Sequence, residues 1–163
     1  MLNVIRDRAR FRGDLQVEIH RADGSFLRRY VVKNLISYNG LNSPLYLWAQ
    51  DGITVTDYQI AQLATGTGGV PPTRGDIGLN APLGGGPTGG IILLAAPNRT
   101  PSPATGELVI TASLDINHAN GFTLLEAGLI LGNAQLFARQ VHPAIPKTAL
   151  ITVSYTWRIA VTS

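Results

Sequence analysis

Residues 151–159, near the end of the chain, alternate apolar and polar side chains without a break. A period of two places successive side chains on opposite faces of a β-strand, so we predict a long strand over 149–162. Its apolar face would carry Ile151, Val153, Tyr155, Trp157, Ile159 and Val161. Since only one face is apolar, the pattern favours an antiparallel sheet that buries one side.

Similar alternation predicts further strands along the chain. Residues 15–19 and 26–33 form a predicted hairpin, because Asp23-Gly24 between them favours a turn with positive φ. The other predicted strands are 58–65, 107–117, 122–131 and 134–142. These strands follow one another without the helices of a βαβ pattern. We therefore predict an all-β fold, an antiparallel β-sandwich or jelly-roll-like domain.

One short helix is predicted at about 44–50. Ser43 followed by Pro44 is typical of a helix start, with serine as the N-cap and proline at the first helical position. Gly40 interrupts the apolar pattern that precedes this pair, which argues against an earlier start. The sequence thus predicts a single helix in a chain dominated by strands.

Two segments are too rich in glycine and proline for regular structure. Residues 66–90 contain ten glycines and four prolines, and 97–106 is a second loop of the same kind. A structureless loop as long as the first is unusual inside a compact domain. We expect it to be either a functional excursion or a segment that a partner orders.

The positive charge of the chain is concentrated at its start. Residues 1–12 contain four arginines and one acid, Asp7, so their net charge is +3, the same as that of the whole chain. The arginines are Arg6, Arg8, Arg10 and Arg12. We interpret residues 1–13 as an extended basic arm and 14–163 as a single β domain. The four arginines are the predicted partner-binding residues, docking on an acidic neighbour. Nucleic-acid binding is disfavoured because no aromatic platform accompanies them, and a solvated tail stays an alternative.

The sequence lacks the usual catalytic and metal-binding motifs. It has no cysteine, no GxSxG elbow, and no glycine-rich phosphate loop followed by lysine. His118 and His142 lie beside predicted turns, so we expect them at the surface. Asp51 and Asp57 do not have the spacing of a calcium loop. We therefore predict no enzyme activity, no metal and no cofactor.

Two single features have both a plain and a functional interpretation. Arg74-Gly75-Asp76 is a tripeptide that integrins bind, but in a glycine-rich loop it also arises by chance. Glu126 lies in an apolar strand, where it would be either an unusual acid or a side chain that faces solvent or pairs with an arginine such as Arg139. The plain interpretation is favoured for both.

The start of the chain does not resemble a signal peptide, because arginines alternate with other residues where an apolar core would stand. The longest fully apolar run, Ile91 to Ala96, is six residues. A membrane-spanning helix needs about 20. We expect neither a leader nor a membrane segment.

Three stretches resemble a family of small virion structural proteins of tailed bacteriophages. They are VVKNLISYNGLNSPLYLWAQ (31–50), YQIAQLATGTGGVPPTRGDIGL (58–79) and LLEAGLILGNAQLFARQVHPAIPKTALITVSYTWRI (124–159). Members of this family are described as capsid decoration, head-fibre, collar or tail-associated proteins. The resemblance implies a small all-β protein without catalytic residues, commonly trimeric, bound to the outer phage shell.

The expectation is therefore a capsid decoration, or cement, protein on the outer capsid surface of a virion, made in the host cytoplasm. Its partners would be the major capsid protein and copies of itself, with a homo-trimer implied. A low content of charged residues, 14%, suits a protein that packs against others. A tail, collar or baseplate component bound to tail or neck proteins is the alternative. A carbohydrate-binding β-sandwich is a minor one.

Overall fold

Ten strands form two five-stranded antiparallel sheets, and the two sheets pack face to face. The structure, a computed structural model, describes residues 10–49, 54–86 and 88–162. In chain order the strands are β1 (Arg10–Arg21), β2 (Phe26–Lys33), β3 (Leu35–Ile36), β4 (Ile60–Gly66), β5 (Ile91–Leu93), β6 (Arg99–Ser102), β7 (Glu107–Leu114), β8 (Thr123–Leu131), β9 (Leu136–Pro146) and β10 (Ile151–Thr162). The prediction of an all-β sandwich is confirmed.

Each sheet mixes strands that are distant in the sequence. Sheet A has the order β2-β1-β10-β7-β6, and sheet B has the order β3-β9-β8-β4-β5. β1 and β10 pair along their whole length, from Arg10 opposite Thr162 to Arg21 opposite Ile151. The first and last described strands therefore lie side by side in the middle of sheet A.

The core lies between the two sheets and follows the predicted alternation. In β10, the side chains of Val153, Tyr155 and Trp157 are fully buried. They pack in one cluster with residues of sheet B such as Leu63 and Leu129. Val161, at the end of the same face, is 48% exposed. The apolar face of β10 is therefore buried over most of its length and reaches the surface at Val161.

Several strand boundaries differ from the prediction. β1 begins at Arg10 and residues 10–13 pair with β10, so the prediction of an arm over 1–13 is wrong for these four residues. Residues 1–9 lie outside the described residues. β9 continues to Pro146, although prolines were expected to end it at His142. β3 pairs with β9 only at Arg139 and Ala138. After Arg139, β3 no longer pairs with β9. A proline whose nitrogen faces that open side of β9 removes no hydrogen bond from the sheet.

The helix α1 spans Tyr38–Ala49, six residues earlier than predicted. Ser37 caps it, because its Oγ accepts a hydrogen bond from Gly40 N at 3.1 Å. Gly40 does not interrupt the helix: a Cβ there would collide with the carbonyl of Phe137, so glycine lets α1 approach β9 closely. Pro44 lies inside the helix. It has no N–H for the carbonyl of Gly40, and Ser43 Oγ donates to that oxygen at 2.8 Å instead.

Two short 3₁₀ turns complete the described structure. Val55–Tyr58 precedes β4, so the strand predicted from residue 58 starts at Ile60. Ala96–Asn98 leads into β6, inside a segment that was predicted to be irregular. In the described ranges, no helix is long and apolar enough to cross a membrane.

Candidate functional site

The glycine- and proline-rich loop between β4 and β5 folds back onto sheet B. Its described residues contain no strand, and a single bridge pairs Gly66 with Pro82. Thr67 N donates to Ala81 O, and Leu83 N donates to Thr65 O, both at 2.9 Å. The two limbs of the loop are therefore held together near their base. We call residues 67–83 the folded loop.

Glu126 in β8 attaches both limbs of the folded loop to the sheet. Its carboxylate is fully buried. Oε1 accepts hydrogen bonds from Gly68 N at 3.2 Å and from Ala81 N at 2.7 Å, and Oε2 accepts one from Asn80 N at 3.0 Å. A Cβ on Gly68 would lie 2.5 Å from Glu126 Oε1, so glycine is needed for this close approach.

Arg139 in β9 extends this attachment to the outer part of the folded loop. Its buried guanidinium donates from Nε to Glu126 Oε2 and from Nη1 to Asp76 Oδ2, both at 2.7 Å. Nη2 donates to the carbonyl of Val70 at 2.9 Å. The rigid donor geometry of arginine suits this use of three separate acceptors. The predicted pairing of Glu126 with Arg139 is confirmed, while the expectation that Glu126 could face solvent is wrong.

Asp76 is the residue of the folded loop that pairs with Arg139. Thr73 donates from its N to Oδ2 at 3.0 Å and from Oγ1 to Oδ1 at 2.6 Å. Burial alone would raise the pKa of Asp76, but the hydrogen bonds from Thr73 and from the Arg139 guanidinium hold it below its ordinary value. Both carboxylate oxygens are engaged inside the chain. Arg74-Gly75-Asp76 is therefore a structural turn here, not a presented acidic ligand.

The folded loop displays apolar side chains to solvent. Ile77 is 83% exposed and Val70 is 55% exposed, and both line one shallow depression above Arg139. Tyr38 at the start of α1 is 59% exposed, and its N–H donates to Arg74 O at 2.9 Å. We call Tyr38, Val70 and Ile77 the apolar loop patch. Neighbouring exposed apolar side chains, as Val70 and Ile77 are in this depression, are typical of a surface that binds another protein.

The predicted arm residues lie in a different part of the molecule. Arg10 and Arg12 are in β1 of sheet A, opposite Thr162 and Ala160 of β10, whereas the apolar loop patch lies on the side of sheet B. Arg12 is exposed. Arg6 and Arg8 fall outside the described residues. The structure therefore presents two separate candidate surfaces, the start of β1 and the apolar loop patch.

His142 and His118 lie in different surroundings, one buried and one in a turn. His142 is buried, which contradicts the prediction of a surface position, because β9 continues past it and carries it into the sandwich. Its Nε2 lies 3.5 Å from the Tyr155 hydroxyl. Burial lowers the pKa of His142 and raises that of Tyr155. His118 lies in the predicted turn and pairs with Asp115 at 2.7 Å.

Lys147 is a buried charged residue that the sequence analysis missed. Its Nζ donates to Asn120 Oδ1 and to Thr148 O, each at 3.0 Å, and burial lowers the pKa of Lys147. It joins the β7–β8 turn to the segment between β9 and β10. No pattern around Pro146-Lys147 indicated burial. Among the described residues no three His, Asp or Glu side chains are grouped as a metal would require.

Comparison of the chain with protein-family models, with curated proteins and with solved structures returned no match. The candidate surfaces are therefore argued from the residues themselves.

Proposed function

We propose that the protein is a structural subunit of a tailed-phage virion, a decoration protein that binds the outer shell and stabilises it. The observation that carries this proposal is the apolar loop patch. It stands on a loop that a buried carboxylate and a buried guanidinium fix to the sheet. A preorganised surface loses little conformational entropy when it binds, so this patch suits docking between neighbouring subunits.

The resemblance of the three sequence stretches supports the choice of a virion. The second stretch contains most of the folded loop, and the third contains Glu126 and Arg139. The residues that carry the resemblance are thus largely those that build the platform under the apolar loop patch. The major capsid protein and further copies of the chain, as a homo-trimer, are the proposed partners.

The proposed mechanism is mass action. A subunit that binds the mature shell and not its immature form stabilises the mature shell by the free energy of binding. The stabilisation per site is about 2.7 kcal/mol at a free concentration of 100 Kd. The arginines of the arm and of early β1 would pair with acidic shell residues, while the apolar loop patch buries against a neighbour.

The test of location is gold-labelled antibody against this protein on intact virions. Label over the head supports a decoration protein, and label confined to the neck or tail supports a tail, collar or baseplate component. Virions without label would contradict both.

The test of the surface compares two matched substitutions. Ile77→Ser removes the most exposed residue of the apolar loop patch. Leu93→Ser removes a residue that is 75% exposed on β5, outside the patch. We expect Ile77→Ser to weaken shell binding at least tenfold with unchanged thermal stability, and Leu93→Ser to bind normally. Equal binding of both variants would exclude the patch as the contact.

The arm is tested by removing residues 1–9 only. Because residues 10–13 are part of β1, a longer deletion would damage sheet A and confuse binding with folding. We expect the shortened chain to stay folded and to bind the shell more weakly. Unchanged affinity would assign shell binding to the apolar loop patch alone.

A further inference from the structure

One edge of sheet A has no further strand beside it in the described structure. β2 is the last strand in the order of sheet A, and its backbone pairs only with β1 among the described residues. Every second N–H and carbonyl of an edge strand points away from the sheet and is open to pairing with another chain. The carbonyl of Lys33 already accepts a hydrogen bond from Gln140 Nε2. The open stretch of β2 is therefore residues 26–32.

The neighbouring edge of sheet B is protected by prolines. After Arg139, β9 pairs with β8 and no longer with β3, so residues 140–146 also form an edge in the described structure. Pro143 and Pro146 lie in this stretch, and proline has no N–H to offer to an added strand. β2 contains no proline. Of these two edges, β2 is the one that can accept a strand along its length.

A small apolar pocket lies between the two edges. Leu27 and Tyr30 of β2 line one side, and Ile145 and Pro146 of β9 line the other. The volume of the pocket is about 240 Å³, below the range of about 300–1,000 Å³ that is typical of small-molecule sites. It therefore fits an apolar side chain better than a complete small molecule. When an extended peptide is added to a sheet edge, pockets of this kind bind its side chains and give specificity.

The charge of β2 indicates which kind of segment fits this edge. The strand contains Arg28, Arg29 and Lys33 and no acid. Arg29 pairs with Glu18 of β1 at 2.6 Å. Arg28 lines the pocket and donates from Nη1 to the Tyr30 hydroxyl at 3.0 Å. Neither Arg28 nor Lys33 makes an ion pair within the part of the chain that the structure describes. An acidic segment would neutralise both, whereas the β2 of a second copy would add three more cations to the same edge.

We propose that residues 26–32 of β2 bind an extended acidic segment of another protein, which adds one strand to sheet A. The main chain of the segment pairs with the open N–H and carbonyl groups of β2. One of its apolar side chains enters the pocket between β2 and β9, and its carboxylates pair with Arg28 and Lys33. This inference does not depend on the proposed function. It assigns a second contact surface, on the opposite side of β9 from the strands that carry the folded loop.

The binding test uses a fluorescently labelled peptide as long as β2, with a central leucine among threonine and glutamate residues. We expect saturable binding to the full chain, measured by fluorescence anisotropy. The charge control has lysine in place of glutamate and should bind about tenfold more weakly or worse. Equal binding of the lysine peptide, or no saturable binding of the glutamate peptide at millimolar concentration, would overturn the proposal.

Two further peptides test main-chain pairing. Both carry the glutamate sequence with methyl groups on alternate backbone nitrogens, and they differ in which alternate set is methylated. An extended strand offers its hydrogen bonds to one neighbour through every second residue. We therefore expect one methylated peptide to bind like the parent peptide and the other to lose binding. Equal affinity of the two would exclude addition of a strand.

The position of the segment is tested with two matched variants of the protein. Arg28→Gln and Arg158→Gln each remove one positive charge from sheet A, and Arg158 lies in the interior strand β10. We expect Arg28→Gln to weaken binding of the glutamate peptide about tenfold, because a charge-assisted hydrogen bond is lost, and Arg158→Gln to bind normally. Equal affinity of the two variants would place the peptide elsewhere and overturn the assignment to β2.

Hydrogen exchange locates the added strand on the backbone. In the free chain we expect alternate amides of residues 26–32 to exchange fast, since they face away from β1, and the peptide should slow them. Slow exchange of all these amides in the dilute free chain would overturn the proposal, since the edge would already be covered. Slowing at higher chain concentration without peptide, together with a dimer in sedimentation, would assign the edge to a second copy instead.

Discussion

The two glycine- and proline-rich loops have similar compositions but are held to the domain in opposite ways. The folded loop depends on Glu126 and Arg139, which are buried and lie far away in the sequence. The segment 97–106 is held mainly by its neighbours in sequence, through the 3₁₀ turn at Ala96–Asn98 and the pairing of β6 with β7. One longer-range hydrogen bond joins Arg99 Nη1 to Ile60 O at 2.9 Å. Composition predicts that both loops lack long helices and strands. It does not predict which of the two is held by buried side chains of the domain.

The difference has an energetic consequence. The charges that hold the folded loop are removed from water, so losing one partner leaves the other buried and unpaired. The contacts of the segment 97–106 are largely exposed, and water can replace a lost hydrogen bond there. We therefore expect damage to the first loop to affect the whole domain, and damage to the second to stay local.

The largest effect is expected from Glu126→Gln. The amide keeps one acceptor oxygen, but its N–H₂ group replaces the other oxygen and meets two N–H donors. These donors are Asn80 N and Arg139 Nε in one orientation of the amide, and Gly68 N and Ala81 N in the other. Breaking a buried pair costs about 3–5 kcal/mol, which urea denaturation would measure. The control is Glu18→Gln in the exposed pair of Glu18 with Arg29, where a loss below about 1 kcal/mol is expected. Similar losses in the two variants would contradict the comparison.

An intermediate effect is expected from Asp76→Asn, which cuts the outer part of the folded loop from Arg139. Hydrogen bonds to charged groups contribute about 1.5–3 kcal/mol each, and part of that loss is recovered because Asp76 is not fully buried. Hydrogen exchange should rise in residues 70–79 and stay unchanged in 97–106. Increased exchange in both loops would show that they are not independent.

The same carboxylate predicts acid sensitivity of the folded loop. Although burial opposes it, hydrogen bonding to Thr73 and Arg139 lowers the pKa of Asp76 in the folded state. The stabilisation is therefore complete above the unfolded pKa of about 3.9 and is lost as pH falls through the folded value. The amide resonance of Thr73, which bonds to this carboxylate, should report the transition below about pH 4. A midpoint above the ordinary aspartate value would contradict the assignment.

His142 gives a separate and smaller pH effect at higher pH. Burial lowers the pKa of His142, so the unfolded chain binds a proton more readily than the folded one. Stability should fall as pH drops below about 6.5, the ordinary histidine value. The urea midpoint should decline between pH 7 and pH 5 in the parent chain and not in His142→Phe. The same decline in both would assign it to another group.

Several features were predicted correctly because they depend on residues that are close together in the sequence. The strand β2 was predicted at its observed bounds, whereas β1 extends beyond the predicted 15–19 at both ends. The turn between them was predicted because Gly24 takes a positive φ, here 86°. The buried face of β10 was predicted because alternation specifies one buried side. Pairing of Glu126 with an arginine such as Arg139 was one of two predicted alternatives, and burial of the carboxylate favours that one because a buried charge needs a partner.

Long-range contacts explain what the sequence did not predict. Gly40 was expected to break the helix, but it lets α1 approach the backbone of β9 at Phe137. That approach cannot be predicted from the residues around Gly40, because Phe137 is distant in the sequence. His142 and Lys147 looked like turn residues, and they are buried because segments distant in sequence cover them. The long loop was expected to be either a functional excursion or a segment that a partner orders, and its folded part is bonded to Glu126 and Arg139 of the same chain. In each case the burial or the contact involves residues outside the local sequence.

The smallest effect is expected from Asn98→Ala in the second loop. Asn98 Oδ1 accepts from Ala95 N and Nδ2 donates to Thr111 O, both at 2.9 Å, at an exposed site. A loss of about 1 kcal/mol or less is expected, as for other exposed capping side chains. In the double variant with Asp76→Asn the two losses should add within about 0.5 kcal/mol, since distant sites without shared partners are independent. A larger coupling would mean that the two loops open as one unit.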